Sequence, residues 1–371
     1  MECYVQSLVN ITVFGQKNDK VRAEIERYRT LYQTATNDTT RLTNYTTMAQ
    51  CYRFFDVDSA KYYLWQALAA HRELDVNRHS MTFAYNVIGN IYRLEPNIDS
   101  AKYYYEEAYA FFTKENEYKL IQAIVPPYAS LLAENGEVKR GMDMFFEAIK
   151  LAESKNDYPN LAFLYEYLGR VFFTKKNEER AIEIFQKGIA ASQNFKDDAH
   201  NYSRITGSLS LNISNIYLKN NEPDSTIYYA KRVIDLSESN KMPQLLVEAY
   251  NNISKGYILK QQFQEASSYN QQANQLNENI QSADAQIDIQ LTQQAIYLNT
   301  KDYRQCIEIG EDMLISKAYQ LKDADKVTIF DQLCNCYTLT GNKEAALASK
   351  DSLSVYSGKV FDDERDELIL K

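Results

Sequence analysis

The sequence predicts an all-α solenoid built from stacked helix pairs, and three observations carry this prediction. One phrase occurs three times, as "DSAKYYLWQA" at 58–67, "DSAKYYYEEA" at 99–108 and "DSTIYYAKRV" at 224–233. Small residues recur every 40 residues over most of the chain. The 371 residues include only 11 Gly and 6 Pro, which favours long helices because both residue types interrupt them. A period of this length is typical of repeat architectures.

The first helix of each repeat contains a residue, small in all repeats but one, that precedes an aromatic or large apolar residue by three positions. We call this residue the marker. Residues three apart share one face of a helix, so each pair predicts a buried helical face. Successive markers lie 40 residues apart, except for one interval of 45. The pairs are Ala49/Tyr52, Gly89/Tyr92, Ala129/Leu132, Gly169/Phe172, Ser214/Tyr217, Ser254/Tyr257, Gln294/Tyr297 and Cys334/Tyr337.

A second series of residues, most of them small, follows the markers by 12 positions, or by 11 in the first repeat, and predicts a second helix. The repeated phrase opens this helix, and we expect Asp58, Asp99 and Asp224 to act as its N-caps, where a carboxylate accepts free backbone N–H groups. Two series of small residues allow the axes of paired helices to approach closely. The second series is Ala60, Ala101, Gly141, Ala181, Thr226, Ala266, Cys306 and Ala346.

These units resemble tetratricopeptide repeats. "YNVIGNIY" (85–92) and "YEYLGRVF" (165–172) match that family's aromatic-x2-Leu-Gly-x2-Tyr pattern, and "YTTMAQCY" (45–52), "YNNISKGY" (250–257) and "FDQLCNCY" (330–337) are looser copies. The resemblance implies a right-handed superhelix of antiparallel helix pairs. The period of 40 exceeds the usual ~34. In this length the repeats resemble the long-repeat sensor arrays of Bacteroidetes-type regulatory proteins.

The repeat count defines the expected domain organisation. About eight repeats cover 42–356, a partial N-terminal repeat covers 4–33, and a C-terminal capping helix completes a single superhelical domain over 1–371. The 45-residue interval contains the polar segment 190–207, which is either a longer loop or a subdomain break. Pro126 and Pro127 fall inside the third first-helix, where proline predicts a kink or a late start.

Composition argues against several classes of function. A net charge of -9 without a Lys/Arg cluster disfavours nucleic-acid binding by this segment. No apolar run is long enough for a membrane span, and the first residues lack a signal-peptide pattern. The five cysteines are expected to be free thiols, and "CNC" at 334–336 lacks neighbouring ligands for a metal.

No catalytic motif is present. The chain lacks a phosphate-cradling glycine loop, an H-x-x-x-H pair and a G-x-S-x-G elbow. The adjacent acidic residues Glu106/Glu107 and Glu178/Glu179 point to different helix faces and indicate solvated surface. We therefore expect a protein that is not an enzyme and that needs neither a cofactor nor a metal.

The resemblance implies that first helices line a concave surface and that ligand contacts come from positions three before, one after and four after the marker. We call this surface the groove face. Its amides can donate to and accept from a peptide backbone, and its Arg and Lys residues would suit a carboxylate or an acidic peptide. Asn and Arg are also common on solvated helices. The candidate ligand-binding residues are Arg53, Asn86, Asn90, Arg93, Glu166, Arg170, Asn215, Asn251, Lys255 and Asn335.

The leading functional hypothesis is a peptide- or protein-binding module, the sensor or interaction part of a bacterial regulatory protein. Its partner would be an extended protein or peptide segment, and a C-terminal transmembrane or effector module would follow the array. The alternative is a structural scaffold that assembles a protein complex through its outer faces. Localisation would be periplasmic for a trimmed sensor region and cytoplasmic for an adaptor.

Overall fold

The computed structural model describes residues 18–52, 57–73, 78–94, 97–114, 118–237, 242–318 and 320–369. In these ranges the chain forms 17 α-helices and one 3-10 turn, with no strand. The all-α prediction is confirmed. The predicted N-terminal repeat segment before residue 18 lies outside the described residues.

The chain divides into two compact units, residues 1–177 and 178–371. The first unit contains eight of the described helices. They are α1 (Asn18–Thr34), α2 (Asp38–Tyr52), α3 (Val57–Glu73), α4 (Arg78–Leu94), α5 (Ile98–Lys114), α6 (Tyr118–Glu134), α7 (Val138–Ser154) and α8 (Tyr158–Thr174).

The second unit contains the remaining nine described helices. They are α9 (Glu178–Ser192), α10 (Ala199–Lys219), α11 (Pro223–Ser237), α12 (Pro243–Leu259), α13 (Phe263–Ile280), α14 (Ala283–Asn299), α15 (Tyr303–Ser316), α16 (Asp323–Thr340) and α17 (Lys343–Ile369). Even-numbered helices are the predicted first helices, and odd-numbered helices are the second helices.

The predicted small residues lie at the helix crossings. Gly89 packs on α5 so closely that a Cβ there would lie 2.8 Å from Tyr105. In the second unit, Ser214 Oγ donates to the carbonyl of Thr226 (3.0 Å) and Ser254 Oγ donates to that of Ala266 (2.7 Å). Marker side chains therefore hold the two helices of a pair together by contact or by a hydrogen bond.

The repeated phrase is explained by its second tyrosine. Tyr63 stacks on Tyr52 with ring centroids 5.1 Å apart, and Tyr104 stacks on Tyr92 at 5.8 Å. Tyr229 stacks on Tyr217 at 5.7 Å in the same register. Each stack joins a first helix to its second helix three residues after the two small positions, and an offset aromatic pair adds about 0.5–1.5 kcal/mol beyond its area burial.

A common turn joins first to second helices. The residue seven positions after the marker is left-handed, for example Lys176 (φ 58°) and Gln261 (φ 59°). The next residue donates its N–H to the carbonyl three residues after the marker, as Gln262 does to Tyr257 (2.9 Å). This pattern is the Schellman motif, which satisfies the carbonyls at the end of a helix.

The N-cap prediction for the repeated phrase was wrong by two residues. Helix α5 begins at Ile98, so Asp99 is its second residue. The cap is Asn97, whose Oδ1 accepts from the N–H of Ser100 (3.2 Å). Because the second helix begins directly after the Schellman turn, the cap falls eight positions after the marker. Asp58 and Asp224 likewise lie in the first turns of α3 and α11.

Two further segments differ from expectation. Helix α6 runs from Tyr118 to Glu134 through Pro126 and Pro127, so the predicted late start does not occur. Segment 190–207 lies within the second unit and forms the end of α9, a 3-10 turn (Gln193–Phe195) and the start of α10.

The second helix of the last repeat and the capping helix form one helix, α17. The description of 1–371 as one domain stays a prediction.

The first helices form the tighter layer of each unit. Within the described residues, each first helix contacts the next one, from α2 to α8 in the first unit and from α10 to α16 in the second. The second helices of adjoining repeats make no such contact in these ranges. Unequal layers of this kind curve a stack of helix pairs, so the first helices lie on the inner side of each unit.

Candidate ligand-binding face

In the first unit, two of the predicted groove-face asparagines are engaged within the chain. Asn90 Nδ2 donates to the carbonyl of Asn86 (2.8 Å), and Asn90 Oδ1 accepts from the Tyr105 hydroxyl (3.0 Å). Asn86 is buried, whereas Asn90 is half-buried. These bonds tie α4 to α5, so both asparagines stabilise the repeat in the ligand-free chain, and their ligand-binding role stays a prediction.

The arginines of the first unit are the more available groove-face residues. Arg170 is exposed on α8 and lies over the ring of Tyr167, 5.6 Å from its centroid. Arg93 is half-buried on α4, and its Nε atom is buried without a hydrogen-bond partner. Glu166 is buried on α8, and Arg53 lies outside the described residues. The described groove face of this unit therefore presents two guanidinium groups.

In the second unit, a row of amides crosses from α10 to α12. Asn215 is exposed, and its Oδ1 accepts from Asn252 Nδ2 at 2.5 Å. Asn252 Nδ2 also lies 3.3 Å from Ser214 Oγ, so this buried amide connects the marker of one repeat with the next repeat. The bond fixes the Asn215 amide and leaves its Nδ2 group facing solvent.

Asn251 and Lys255 lie on the same face of α12 and converge on one carboxylate of α14. Asn251 Nδ2 donates to Asp288 Oδ2 (2.5 Å), and Lys255 Nζ donates to Asp288 Oδ1 (2.5 Å). Lys255 is half-buried, and its charge is balanced by this ion pair. In the ligand-free chain, Lys255 is therefore not a free positive charge for an acidic ligand, because it is paired with Asp288.

Asp288 was missed by the sequence analysis, and so was Glu248 on α12. Both residues lie six positions before their markers, one helical turn beyond the three positions considered. The spacing Glu248, Asn251, Lys255 is i, i+3, i+7, which places all three on one helix face. A search that continued the groove face by one turn would have found both carboxylates.

The carboxyl group of Glu248 has a raised pKa. Its side chain is exposed to solvent, yet burial in the surrounding protein raises its pKa, and the nearby Asp288 carboxylate raises the pKa further. Lys255 acts in the opposite direction. Partial loss of hydration and repulsion from Asp288 thus both disfavour the charged form of this carboxyl group.

The last predicted groove-face residue, Asn335, is exposed on α16, and so is Asp331 one turn before it. Four first helices of the second unit thus present side chains on one inner layer. Between the polar residues lie apolar ones, such as Leu218, Ile258 and Leu298, each half-buried. Amides, charges and apolar side chains alternate along this face.

The cysteine prediction needs correction. Cys306 on α15 and Cys336 on α16 form a disulfide, with Cα atoms 6.9 Å apart. Both side chains are fully buried, whereas Cys334 is a free thiol. The two half-cystines are 30 residues apart in sequence, and only the stacking of α15 on α16 brings them together.

In the described part of the chain, no three His, Cys, Asp or Glu side chains converge as metal ligands would. Across the same residues, no helix combines the length and the apolar character that crossing a membrane requires. The expectation that the protein uses no metal and no cofactor stays a prediction.

Comparison with known proteins identifies the fold. No protein-family model matches the sequence, and no curated protein sequence matches it. Among solved structures, it is similar to a STAND signal-transduction ATPase with a tetratricopeptide repeat sensor from Pyrococcus horikoshii, at 14% identity and a TM-score of 0.63. That match covers 96% of this chain and 55% of the other, so this chain spans little more than half of that protein.

Two further structures match over nearly their whole lengths. The quorum sensor NprR from B. thuringiensis has a TM-score of 0.64 at 9% identity, and the match covers 91% of this chain and 99% of that one. A Rap protein complexed with Competence and Sporulation Factor has a TM-score of 0.59 at 12% identity, covering 93% and 99%. Structural neighbours are tetratricopeptide-repeat proteins, and this chain has their helical solenoid fold.

Proposed function

We propose that this chain is a non-enzymatic module that binds an extended peptide or protein segment on its groove face. It would serve as the sensor or interaction part of a regulatory protein. The observation that carries this proposal is the inner layer of the second unit, where exposed Asn215 and half-buried Lys255 alternate with apolar side chains on helices that contact one another.

The spacing of the first helices suits an extended chain. Packed helices lie about 8–10 Å apart, and an extended peptide advances about 3.3 Å per residue, so each repeat would meet about three ligand residues. A peptide backbone presents donors and acceptors in alternation, and side-chain amides can satisfy both. Apolar side chains between the amides would hold the ligand's own apolar groups.

The structural neighbours support the same class of function. The Rap structure is a complex with Competence and Sporulation Factor, and NprR is a quorum sensor. Both share the solenoid over most of this chain. Regulation by a bound ligand is therefore compatible with this scaffold. At identities of 9% to 12%, the similarity concerns the fold.

The test is a peptide-display selection on the whole chain, followed by titration of the best sequence against variants. We expect Arg170→Ala to lower the affinity for the selected peptide about tenfold or more, and Asn215→Ala to lower it about fivefold. The difference arises because a hydrogen bond to a charged group contributes more than a neutral one. Arg304→Ala and Asn279→Ala are matched controls, since both residues are exposed on second helices. Equal binding by the groove-face and control variants would refute the groove proposal.

A second candidate function is a scaffold that uses the outer helices, and one observation favours it. The first tyrosine of the repeated phrase is exposed, at 59% for Tyr62, 57% for Tyr103 and 63% for Tyr228. In the first unit, Trp65 and Phe146 are also about half exposed on second helices. Repeated exposed aromatic side chains are enriched at protein interfaces.

Cross-linking separates the two functions. A photoreactive residue at position 103 samples the second helices, and one at position 215 samples the groove face. Partner capture at 215 alone would support the ligand-binding function, whereas capture at 103 alone would support the scaffold.

A further inference from the structure

The cluster formed by Glu248, Asn251, Lys255 and Asp288 has more negative than positive charge. Three members lie on one face of α12, and Asp288 lies on the adjacent α14. Lys255 and Asn251 together fill the two oxygens of Asp288. Glu248 is left without a salt bridge in the described part of the chain, although Lys255 lies close enough to lower its pKa.

Asn251 provides a second, independent observation, a buried acceptor atom without a partner. Its side chain is 2% exposed, and its Oδ1 atom has no hydrogen-bond partner. Rotating the amide by 180° would not help, because it would turn the oxygen toward the Asp288 carboxylate. The unfilled atom is therefore an acceptor, and the group that satisfies it must be a donor.

The groove-face positions of the neighbouring helices do not supply a balancing cation. At the groove-face positions of α10, α12, α14 and α16, extended to six residues before each marker, Lys255 is the single cationic residue. Glu248, Asp288 and Asp331 are the acidic residues at the same positions. The other positions carry amide, hydroxyl or apolar side chains. Two negative charges thus remain unbalanced on this inner layer.

We propose that this cluster binds a cationic donor group of the ligand, an ammonium or a guanidinium, held between Glu248 and Asn251 Oδ1. This inference rests on the proposed function and gives it a charge preference. The ligand of the second unit would be a basic segment, the opposite of what Arg and Lys at groove positions predict from sequence. Such a group would pair with Glu248, relieve its repulsion from Asp288 and donate to the orphan acceptor.

The lysine of the cluster then acts as an internal competitor. Lys255 neutralises Asp288 in the ligand-free chain, so a ligand cation meets one free carboxylate instead of two. Removing the lysine charge should strengthen the site, and removing the Glu248 charge should weaken it. This opposed pair of effects would not arise if the cluster only stabilised the fold.

The experiment uses the whole chain and hexapeptide pools in which one position is fixed as Arg, Lys, Ala or Glu, with binding measured by fluorescence polarisation. Pools with a free and with an acetylated N-terminus distinguish a terminal ammonium from a side-chain cation. We expect Arg or Lys pools, or free-amine pools, to bind about tenfold more tightly than Glu or acetylated pools. We expect Glu248→Gln to abolish that preference and Lys255→Met to increase it, while the exposed outer-face variant Glu265→Gln leaves it unchanged.

The outcomes separate this inference from the function on which it rests. Binding without a charge preference, a preference for Glu pools, or a cation preference that Glu248→Gln leaves intact would overturn the cationic site while the groove function stands. Failure of every pool to bind would contradict both. Circular dichroism of each variant confirms that the helices are retained.

Discussion

The groove faces of the two units use the same helical positions and carry opposite charge. In the first unit, Arg93 and Arg170 form no ion pair with the described residues. In the second unit, Lys255 is paired with Asp288, and Glu248 and Asp331 are left without a balancing cation at the groove-face positions. Both units nevertheless contain close helix crossings, at Gly89 between the two helices of one pair and at Gly256 between adjoining repeats.

This difference shows that the helix crossings and the charge of the groove face depend on different residues. Markers and stacked tyrosines face the partner helix and fix the geometry of each pair. The charged groove-face residues Arg170 and Lys255 contact Tyr167 and Asp288 instead, so charge at these positions can change without disturbing the crossings. One fold can therefore present a cationic surface in one unit and an anionic one in the other.

The largest expected difference in stability between the units comes from the Cys306–Cys336 disulfide of the second unit. Replacing Cys306 and Cys336 together by Ala should lower the free energy of unfolding of the second unit by about 3–4 kcal/mol, because the disulfide restricts the unfolded chain. Hydrogen exchange followed by peptide-resolved mass spectrometry reads the stability of each unit separately. Cys334→Ala is the control, since this thiol is free. Equal protection in the double variant and the control would show that the two thiols are not joined.

Glycines at helix crossings test how tightly each unit is packed, within a pair at Gly89 and between repeats at Gly256. A Cβ would lie 2.8 Å from Tyr105 at Gly89 and 2.8 Å from Ile227 at Gly256. We expect Gly89→Leu and Gly256→Leu each to cost about 1–3 kcal/mol through overpacking, measured by urea denaturation. Gly358→Leu is the matched control, because nothing lies within 4 Å of a Cβ there. A cost in one unit alone would mean that the crossings differ.

The pH dependence of two glutamates gives a smaller effect of opposite sign. Hydrogen bonds from Lys102 and Arg140 lower the pKa of Glu137 in the first unit, whereas burial raises the pKa of Glu248 in the second. The Glu137 contribution is present above the ordinary pKa of 4.5 and is lost as pH falls through the lowered folded value. The raised pKa of Glu248 means that its ionisation costs stability above the folded value and costs nothing below 4.5.

Two glutamine variants therefore test this pair at neutral pH. Glu137→Gln should lower the melting temperature, and Glu248→Gln should raise it. Each should change the free energy of unfolding by less than about 1 kcal/mol, because both side chains meet solvent. Both differences should shrink as the pH falls through the folded pKa of the replaced glutamate. Melting curves at neutral and acidic pH measure this. A lower melting temperature for Glu248→Gln at neutral pH would contradict the raised pKa.

Much of the fold could be predicted because its contacts recur at fixed spacing. Gly89, Ser214 and Ser254 were placed correctly, since one helix crossing repeats along the chain. The N-cap prediction failed at Asp99, because the Schellman turn that sets the helix start depends on backbone conformation that propensity does not reveal. The disulfide could not be predicted either, because Cys306 and Cys336 meet only through stacking.

The site could be predicted only in outline. Positional analogy selected Asn251 and Lys255 but could not show that Asp288, on another helix, engages both. From the sequence of α12 alone, Lys255 is a positive charge available to a ligand. In the folded chain it is paired with Asp288 on α14, and such pairing between helices follows from the fold.

The common turn between the helices of a pair has a consequence for how such a protein evolves. In the six repeats whose turn lies in the described residues, the left-handed residue falls seven positions after the marker. A gene segment of one period, cut between equal points of two such turns, therefore encodes a complete set of crossings. Duplication or loss of that segment would lengthen or shorten the inner face by one helix pair. The number of ligand residues read would then change in steps of about three.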